Sequence, residues 1–336
     1  MRASGLQLAV GKQSRDGCGS WAWLAALALL GALACGSDDT STLATETGSA
    51  SPAAEARFIT FDEGEPASVY WSNARSALYV ADNQNNQIWK WTEVGGLEKH
   101  ATTLASDGEL EAGATLVGQL VELDDGTLVV TRFGQPGGGF SAIAWLRPDG
   151  SSGLVPGLNE NVKRLGVAQA PDGTIYGTYF GRNPSGMGQV GTLTRVDLEA
   201  GETVIAEGFG KLIGLAIVGD DLFVSDQSSG ILYDAPLAAL PARAEDWNVF
   251  ARLPVPDQVC AGPGGTIFSG QFQAAPDSSD PVAIRQIQAD GSVTKFAQDP
   301  DVAKPSGVAY DPTARRLFAT DTGNVTQIGV HIFPVP

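Results

Sequence analysis

SALYVADNQ (residues 76–84) and RRLFATDTG (residues 315–323) are nearly the same phrase, written about 240 residues apart. Four more copies lie between them: ELDDGTLVVTR (122–132), QAPDGTIYGTY (169–179), IVGDDLFVSD (217–226) and AGPGGTIFSGQ (261–271). Their anchor residues, Leu78, Leu128, Ile175, Leu222, Ile267 and Leu317, are spaced by 50, 47, 47, 45 and 50 residues. A period in this range marks a repeat architecture and decides the fold before any local pattern does.

Within each copy, apolar residues alternate with period two over four to eight residues and stop at Gly, Asp or Pro. This is the signature of short antiparallel strands joined by turns. The first copy spells four strands, ASVYW (67–71), ALYVAD (77–82), QIWKWT (87–92) and HATTLA (100–105). One four-stranded sheet leaves its faces open, whereas six packed radially cover each other, which predicts an all-β, six-bladed propeller of four-stranded antiparallel blades. A sandwich or pair of barrels would not need six near-equal copies. The last copy has length for only three strands, so RFITFD (57–62) is expected to supply the fourth and close the ring, removing two open sheet edges.

Residues 1–34 stand apart. A basic opening is followed by an uncharged apolar run of 14 residues, Trp21 to Ala34. The run falls short of the roughly 20 residues that span a bilayer and reads as an export signal. ALAC (32–35) resembles the lipobox of bacterial lipoproteins, in which the Cys, here Cys35, becomes the lipidated first residue. Residues 35–56, rich in Ser, Thr, Ala and acids, then form a disordered tether, and 57–336 the propeller. These readings imply an exported chain, lipid-anchored on the periplasmic or outer-membrane face of a bacterial membrane.

Without residues 1–34 the chain keeps 18 basic and 37 acidic residues, and such a surface disfavours nucleic acid. Cys35 and Cys260 are then the remaining cysteines; Cys260 reads as a small buried hydrophobe.

The fourth residue after each anchor forms a recurring polar set: Asp82, Arg132, Tyr179, Asp226, Gln271 and Asp321. Asp82 and Asp321 suit turn stabilisation, whereas Arg132, Tyr179 and Gln271 are harder to explain as turn formers and are candidates for ligand contact. A second set precedes the innermost strands: Lys163 with Arg164, Lys211, Gln258 and Lys304. It suits a small anionic or polyhydroxylated ligand, with blade-rim ion pairs as the plain alternative; a protein partner is also open. With only His100 and His331 in the chain, a His-rich zinc site is excluded, although Asp82, Asp226 and Asp321, with Asn83, offer oxygens to Ca²⁺ or another divalent cation. The loops 134–140 and 181–189 are expected to overhang the channel.

GEPASVYWSNARSALYVAD (64–82) and KPSGVAYDPTARRLFATD (304–321) resemble repeats of the gluconolactonase and senescence-marker-protein superfamily of six-bladed propellers, and the broader group with NHL-type repeats. The resemblance spans residues 57–336. It implies hydrolysis of lactones or phosphoesters with one divalent cation held by an early Glu, an Asn before Gly and an Asp before Gly. Carried here, the Glu is Glu63 or Glu65. The Asn-Gly position falls on Leu165-Gly166 or Ile213-Gly214, and the Asp-Gly position has no match at Ile213-Gly214, Val259-Cys260 or Ser306-Gly307. With two ligands missing, the expectation leans to a membrane-tethered, non-enzymatic binding module. The alternatives are a hydrolase with a rebuilt channel site and a quinone-cofactor redox propeller.

Overall fold

The computed structural model describes residues 57–102, 117–134, 139–182, 188–274, 281–297, 302–321 and 328–336. The expected signal segment, Cys35 and the tether lie outside the described residues, as do the centres of the loops 134–140 and 181–189. After the first strand, β1 (Arg57–Thr60), blade 1 comprises β2 (Pro66–Ser72), β3 (Ala77–Asp82), β4 (Gln87–Thr92) and β5 (Gly96–Thr102). Blade 2 comprises β6 (Val117–Glu122), β7 (Leu128–Arg132), β8 (Ala142–Leu146) and β9 (Ser152–Leu154); blade 3, β10 (Lys163–Gln169), β11 (Ile175–Arg182), β12 (Gln189–Asp197) and β13 (Gly201–Phe209). Blade 4 comprises β14 (Leu212–Val218), β15 (Asp221–Asp226), β16 (Ile231–Pro236) and β17 (Asn248–Arg252); blade 5, β18 (Pro256–Ala261), β19 (Ile267–Gln271), β20 (Ile284–Ile287) and β21 (Val293–Ala297). Blade 6 has β22 (Val308–Asp311), β23 (Arg316–Asp321) and β24 (Gly329–Pro334).

Each blade is a separate four-stranded antiparallel sheet, and in blade 6 the order is β1-β24-β23-β22. The N-terminal strand therefore closes the ring, with Phe58 opposite His331 and Ile59 opposite Val330. The anchor residues pack between blades: Leu78, Leu222, Ile267 and Leu317 are wholly buried. At the closure, Trp71 of blade 1 stacks on Phe318 of blade 6 at 5.4 Å. The Arg316 guanidinium lies over Trp71, Trp91 and Phe318, adding cation–π contacts across the same seam.

Hydroxyls tie neighbouring innermost strands together. The third residue after an anchor, Thr131, Thr178 or Ser225, donates to a carbonyl of the next blade: Leu165 O at 2.7 Å, Ile213 O at 2.9 Å and Asp257 O at 2.6 Å. These contacts demand close approach of backbones. A Cβ at Gly166 would meet Ile213 O at 2.5 Å, and one at Gly214 would meet Asp257 O at 2.9 Å, so each position takes the residue with no side chain. The ladder also skips register near the start of five innermost strands, at Pro66/Ser68, Val117/Leu120, Arg164/Val167, Leu212/Leu215 and Pro256/Val259. Such bulges re-aim side chains.

Candidate active site at the channel mouth

The skipped residues build the site. Ala67, Leu165, Ile213 and Asp257 sit within the bulges of blades 1, 3, 4 and 5, and all four line a cavity of about 280 Å³. Ser306, just ahead of β22, joins them. Around the rim stand Glu65, Lys211, Asn83, Gln227, Phe133 and Phe272. The floor is polar and self-satisfied: Ser68 Oγ donates to Gln258 Oε1 at 2.7 Å, and Gln258 Nε2 donates to Ala67 O at 3.2 Å.

Asp257 is the chemical centre. It is buried, and its carboxylate accepts a hydrogen bond from Ser306 Oγ. Burial pushes its carboxyl up to about 6, with the Ser306 hydrogen bond and the Lys211 charge pulling the other way. Burial lowers the Lys211 ammonium from its ordinary value, while the Asp257 charge opposes that shift. Lys211 Nζ donates to Gln227 Oε1 at 2.5 Å. On the opposite side, burial and then the Asp82 carboxylate raise the Glu65 carboxyl, with Lys304 opposing. Each rim carboxyl thus faces one lysine.

The carboxylates Asp82, Asp226 and Asp321 serve this mouth from beneath. Asp82 Oδ1 accepts from Glu65 N at 2.9 Å, and Asp321 Oδ1 from Lys304 N at 2.9 Å. Asp226 Oδ2 accepts from Gly210 N at 2.8 Å, and its other oxygen holds Ser228, whose Oγ accepts from Lys211 N at 2.8 Å. Three repeats therefore use one device: a carboxylate at the end of the second strand fixes the loop that presents a charged rim residue. Asp82 also accepts from Asn85 Nδ2 and Trp89 Nε1, at 2.9 and 3.2 Å.

The other members of the expected set lie away from the cavity. Arg132 is buried inside blade 2. Tyr179 lies beneath Arg164, whose guanidinium is 5.0 Å from its ring and makes two 2.7 Å hydrogen bonds to Glu202. Gln271 Oε1 accepts from Ala283 N at 3.2 Å, and its Nε2 donates to Gln273 O at 2.9 Å. Of the second set, Lys211 and Gln258 reach the cavity, Lys304 faces Glu65, and Arg164 is consumed by its ion pair. Neither His lines it: His100 lies against Tyr79 and His331 against Phe58. Asp257 was not among the sequence candidates, and Ser306 stood there only as a position without the Asp of the family's Asp-Gly pair. The missing signal is register: the family's ligand is an Asp followed by Gly, whereas the bulge in blade 5 carries Asp257-Gln258.

A larger cavity of about 620 Å³ opens at the other end of the innermost strands, lined by Tyr70, Glu122, Asp124, Cys260 and Tyr310 among others. Its Glu122 is already engaged by Ser72 and Arg75. Burial raises the Cys260 thiol above its ordinary value and leaves it inert. Asp257, Lys211 and Glu65 line the smaller cavity instead.

The divalent cation implied by the resemblance can be tested against these donors. Two channel-facing register positions are the apolar Leu165 and Ile213, and only two carboxyls, Glu65 and Asp257, line the cavity among the described residues. No group of three or more His, Cys, Asp or Glu among the described residues is placed to hold a metal ion. The donor set does not fit a divalent cation, and no chemical step is derived through one.

No protein-family model and no curated protein matches the chain by sequence. Solved structures do match. A gluconolactonase from Xanthomonas campestris is 19% identical with a TM-score of 0.62, over 84% of this chain and 90% of its own. A luciferin-regenerating enzyme is 14% identical with a TM-score of 0.60, over 83% and 94%. Virginiamycin B lyase from Staphylococcus aureus is 12% identical with a TM-score of 0.57, over 84% and 99%. The chain thus shares the six-bladed propeller fold of the gluconolactonase type. These neighbours correct the expectation that leaned away from catalysis, since all three are enzymes built on this ring. The fold does not carry their reactions with it.

Proposed function

We propose that the chain is a hydrolase of small lactones or esters, acting at the channel mouth by base-assisted attack of water. The observation that carries this reading is the buried Asp257 carboxyl, poised near pH 6, hydrogen-bonded to Ser306 and under the charge of Lys211, in a cavity of about 280 Å³. As a carboxylate, Asp257 takes a proton from water while the water oxygen adds to the ester carbonyl. The Lys211 ammonium stabilises the oxyanion that forms, and the proton on Asp257 passes to the departing alkoxide. Ser306 holds the carboxylate in place, and Leu165, Ile213 and Phe133 exclude bulk water.

Five- and six-membered lactones offered to the purified chain should be opened. The rate should rise with pH through about 6 as Asp257 ionises, then fall as Lys211 loses its proton below the usual lysine range. A chelator should leave the rate unchanged. Absence of turnover on every lactone, or a loss on chelation restored by Ca²⁺, would reject the mechanism.

We also propose export and lipid attachment at Cys35, supported by the apolar run and ALAC. Cys35→Ser should move the chain from the membrane pellet to the soluble fraction of the expressing cell. An unchanged distribution would count against the anchor.

A further inference from the structure

The rim of the mouth is a row of cations and aromatic rings in alternation. Lys163 Nζ lies 4.7 Å from the Phe133 ring, and Phe133 meets Phe180 edge-on at 6.1 Å. Lys211 Nζ lies 5.4 Å from Phe180 and 5.6 Å from Phe272, and Lys304 Nζ lies 5.4 Å from that same Phe272 ring. The row follows from the repeat. Lys163, Lys211 and Lys304 each stand two residues before the bulge residue or its equivalent, Leu165, Ile213 or Ser306. The three phenylalanines each stand five residues after an anchor.

Surface lysines on an acidic protein normally find carboxylates, as Lys90 does with Glu98 and Lys99 with Glu63. Among the described residues, Lys163, Lys211 and Lys304 make no ion pair within 4.0 Å. The Lys163 ammonium is buried with no hydrogen-bond partner among the described residues, and burial lowers its proton affinity. Across the cavity the carbonyl oxygen of Asn83 is likewise buried and unpartnered. Phenyl faces offset part of the cost of confining three ammonium groups. They leave unused hydrogen-bond donors. Three lysines, Lys163, Lys211 and Lys304, outnumber the two carboxyls, Glu65 and Asp257, so the rim is cationic even with both ionised, within a chain of formal net charge −17. A cationic, aromatic-walled rim recognises a small anion with an apolar body.

We propose that the substrate carries an anionic oxygen group, a carboxylate or phosphate, that docks on Lys163, Lys211 and Lys304 while its apolar body lies against Phe133 and Phe272, the two rings that line the cavity, with Phe180 buried behind Lys211. This deepens the hydrolytic reading of the same mouth and rests on it. Lys211 bridges the two tasks, touching both the anion row and the Asp257 side. Lys163 and Lys304 are positioning residues that set where the scissile carbonyl stops.

Benzoate, its neutral isostere benzamide, and inorganic phosphate are the probes, titrated calorimetrically into the full chain at low ionic strength. Benzoate and phosphate should saturate one site and weaken with added salt, with benzamide at least about tenfold weaker than benzoate. Lys163→Met with Lys304→Met should weaken benzoate by about tenfold or more at unchanged melting temperature, the paired Arg replacements should retain it, and Lys90→Met should have no effect. Equal affinity for benzoate and benzamide, no binding of either anion, or indifference to the double Met change would each overturn the proposal. Hydrolysis of neutral δ-valerolactone separates the two readings. If it proceeds without inhibition by benzoate, the hydrolase stands and the anion site falls. If benzoate binds in a lysine-dependent way while no lactone is opened, the anion site stands and the hydrolase falls.

Discussion

Asp257→Asn should reduce lactone hydrolysis by about 10²- to 10⁴-fold, the range contributed by a positioned general base. The amide matches the carboxyl in shape and can still accept the Ser306 hydrogen bond, but it has no proton-accepting charge. The rise in rate through pH 6 should vanish with it. Stability should move the other way. The folded Asp257 carboxyl titrates near 6 and the ordinary value is 3.8, so between these the native state binds more protons than the unfolded chain. Unfolding free energy therefore falls as pH rises through this window, and above it the native state carries the full cost of a buried charge. Asn removes that cost, so at pH 8 the variant should melt at or above the wild-type temperature. Low activity with raised or equal melting temperature separates a lost base from a damaged fold. Near-normal activity in Asp257→Asn would remove Asp257 from the mechanism.

How much of this could be read from the chain alone divides along a physical line. Blade number, strand order and ring closure follow from period and alternation, which are one-dimensional properties; the strand 77–82 was legible to the residue. The site depends on which way side chains turn at the innermost strands, and the bulges shift that by a residue. The polar set four residues after each anchor therefore fell one place short of the rim. Asp82, Asp226 and Asp321 point their carboxylates at backbone N–H groups, and their neighbours Asn83, Gln227 and, in other blades, Phe133 and Phe272 face the cavity. Arg164 was indistinguishable in sequence from Lys211, because its partner Glu202 is 38 residues away on the outermost strand of the same blade. Asp257 was hidden for a similar reason: nothing local to PDQVC distinguishes a residue inside a bulge from one in a regular ladder.

Removing β1 should cost more stability than any point change in the mouth. Ile59 and Phe61 are buried, and Phe61 meets Trp89 edge-on at 5.5 Å while its N–H donates to Ile328 O at 2.9 Å. Burying two such side chains contributes about 1.5–3 kcal/mol each, before the four paired positions of the β1–β24 ladder are counted. A loss on the order of 5 kcal/mol is comparable to the whole stability of many domains. It also leaves β24, GVHIFP, as an open apolar edge able to pair with another copy. A chain starting at Asp62 should therefore melt far below one starting at Arg57 and sediment as larger species, whereas ring closure is unnecessary if the two melt alike. Adding the peptide RFITFD should restore the melting temperature of the shorter chain, because a strand held only by its ladder and two apolar side chains can return from solution. Six blades close on themselves only when the sixth is complete, so the geometry that places Ser306 beside Asp257 is held at its far edge by the strand nearest the N-terminus.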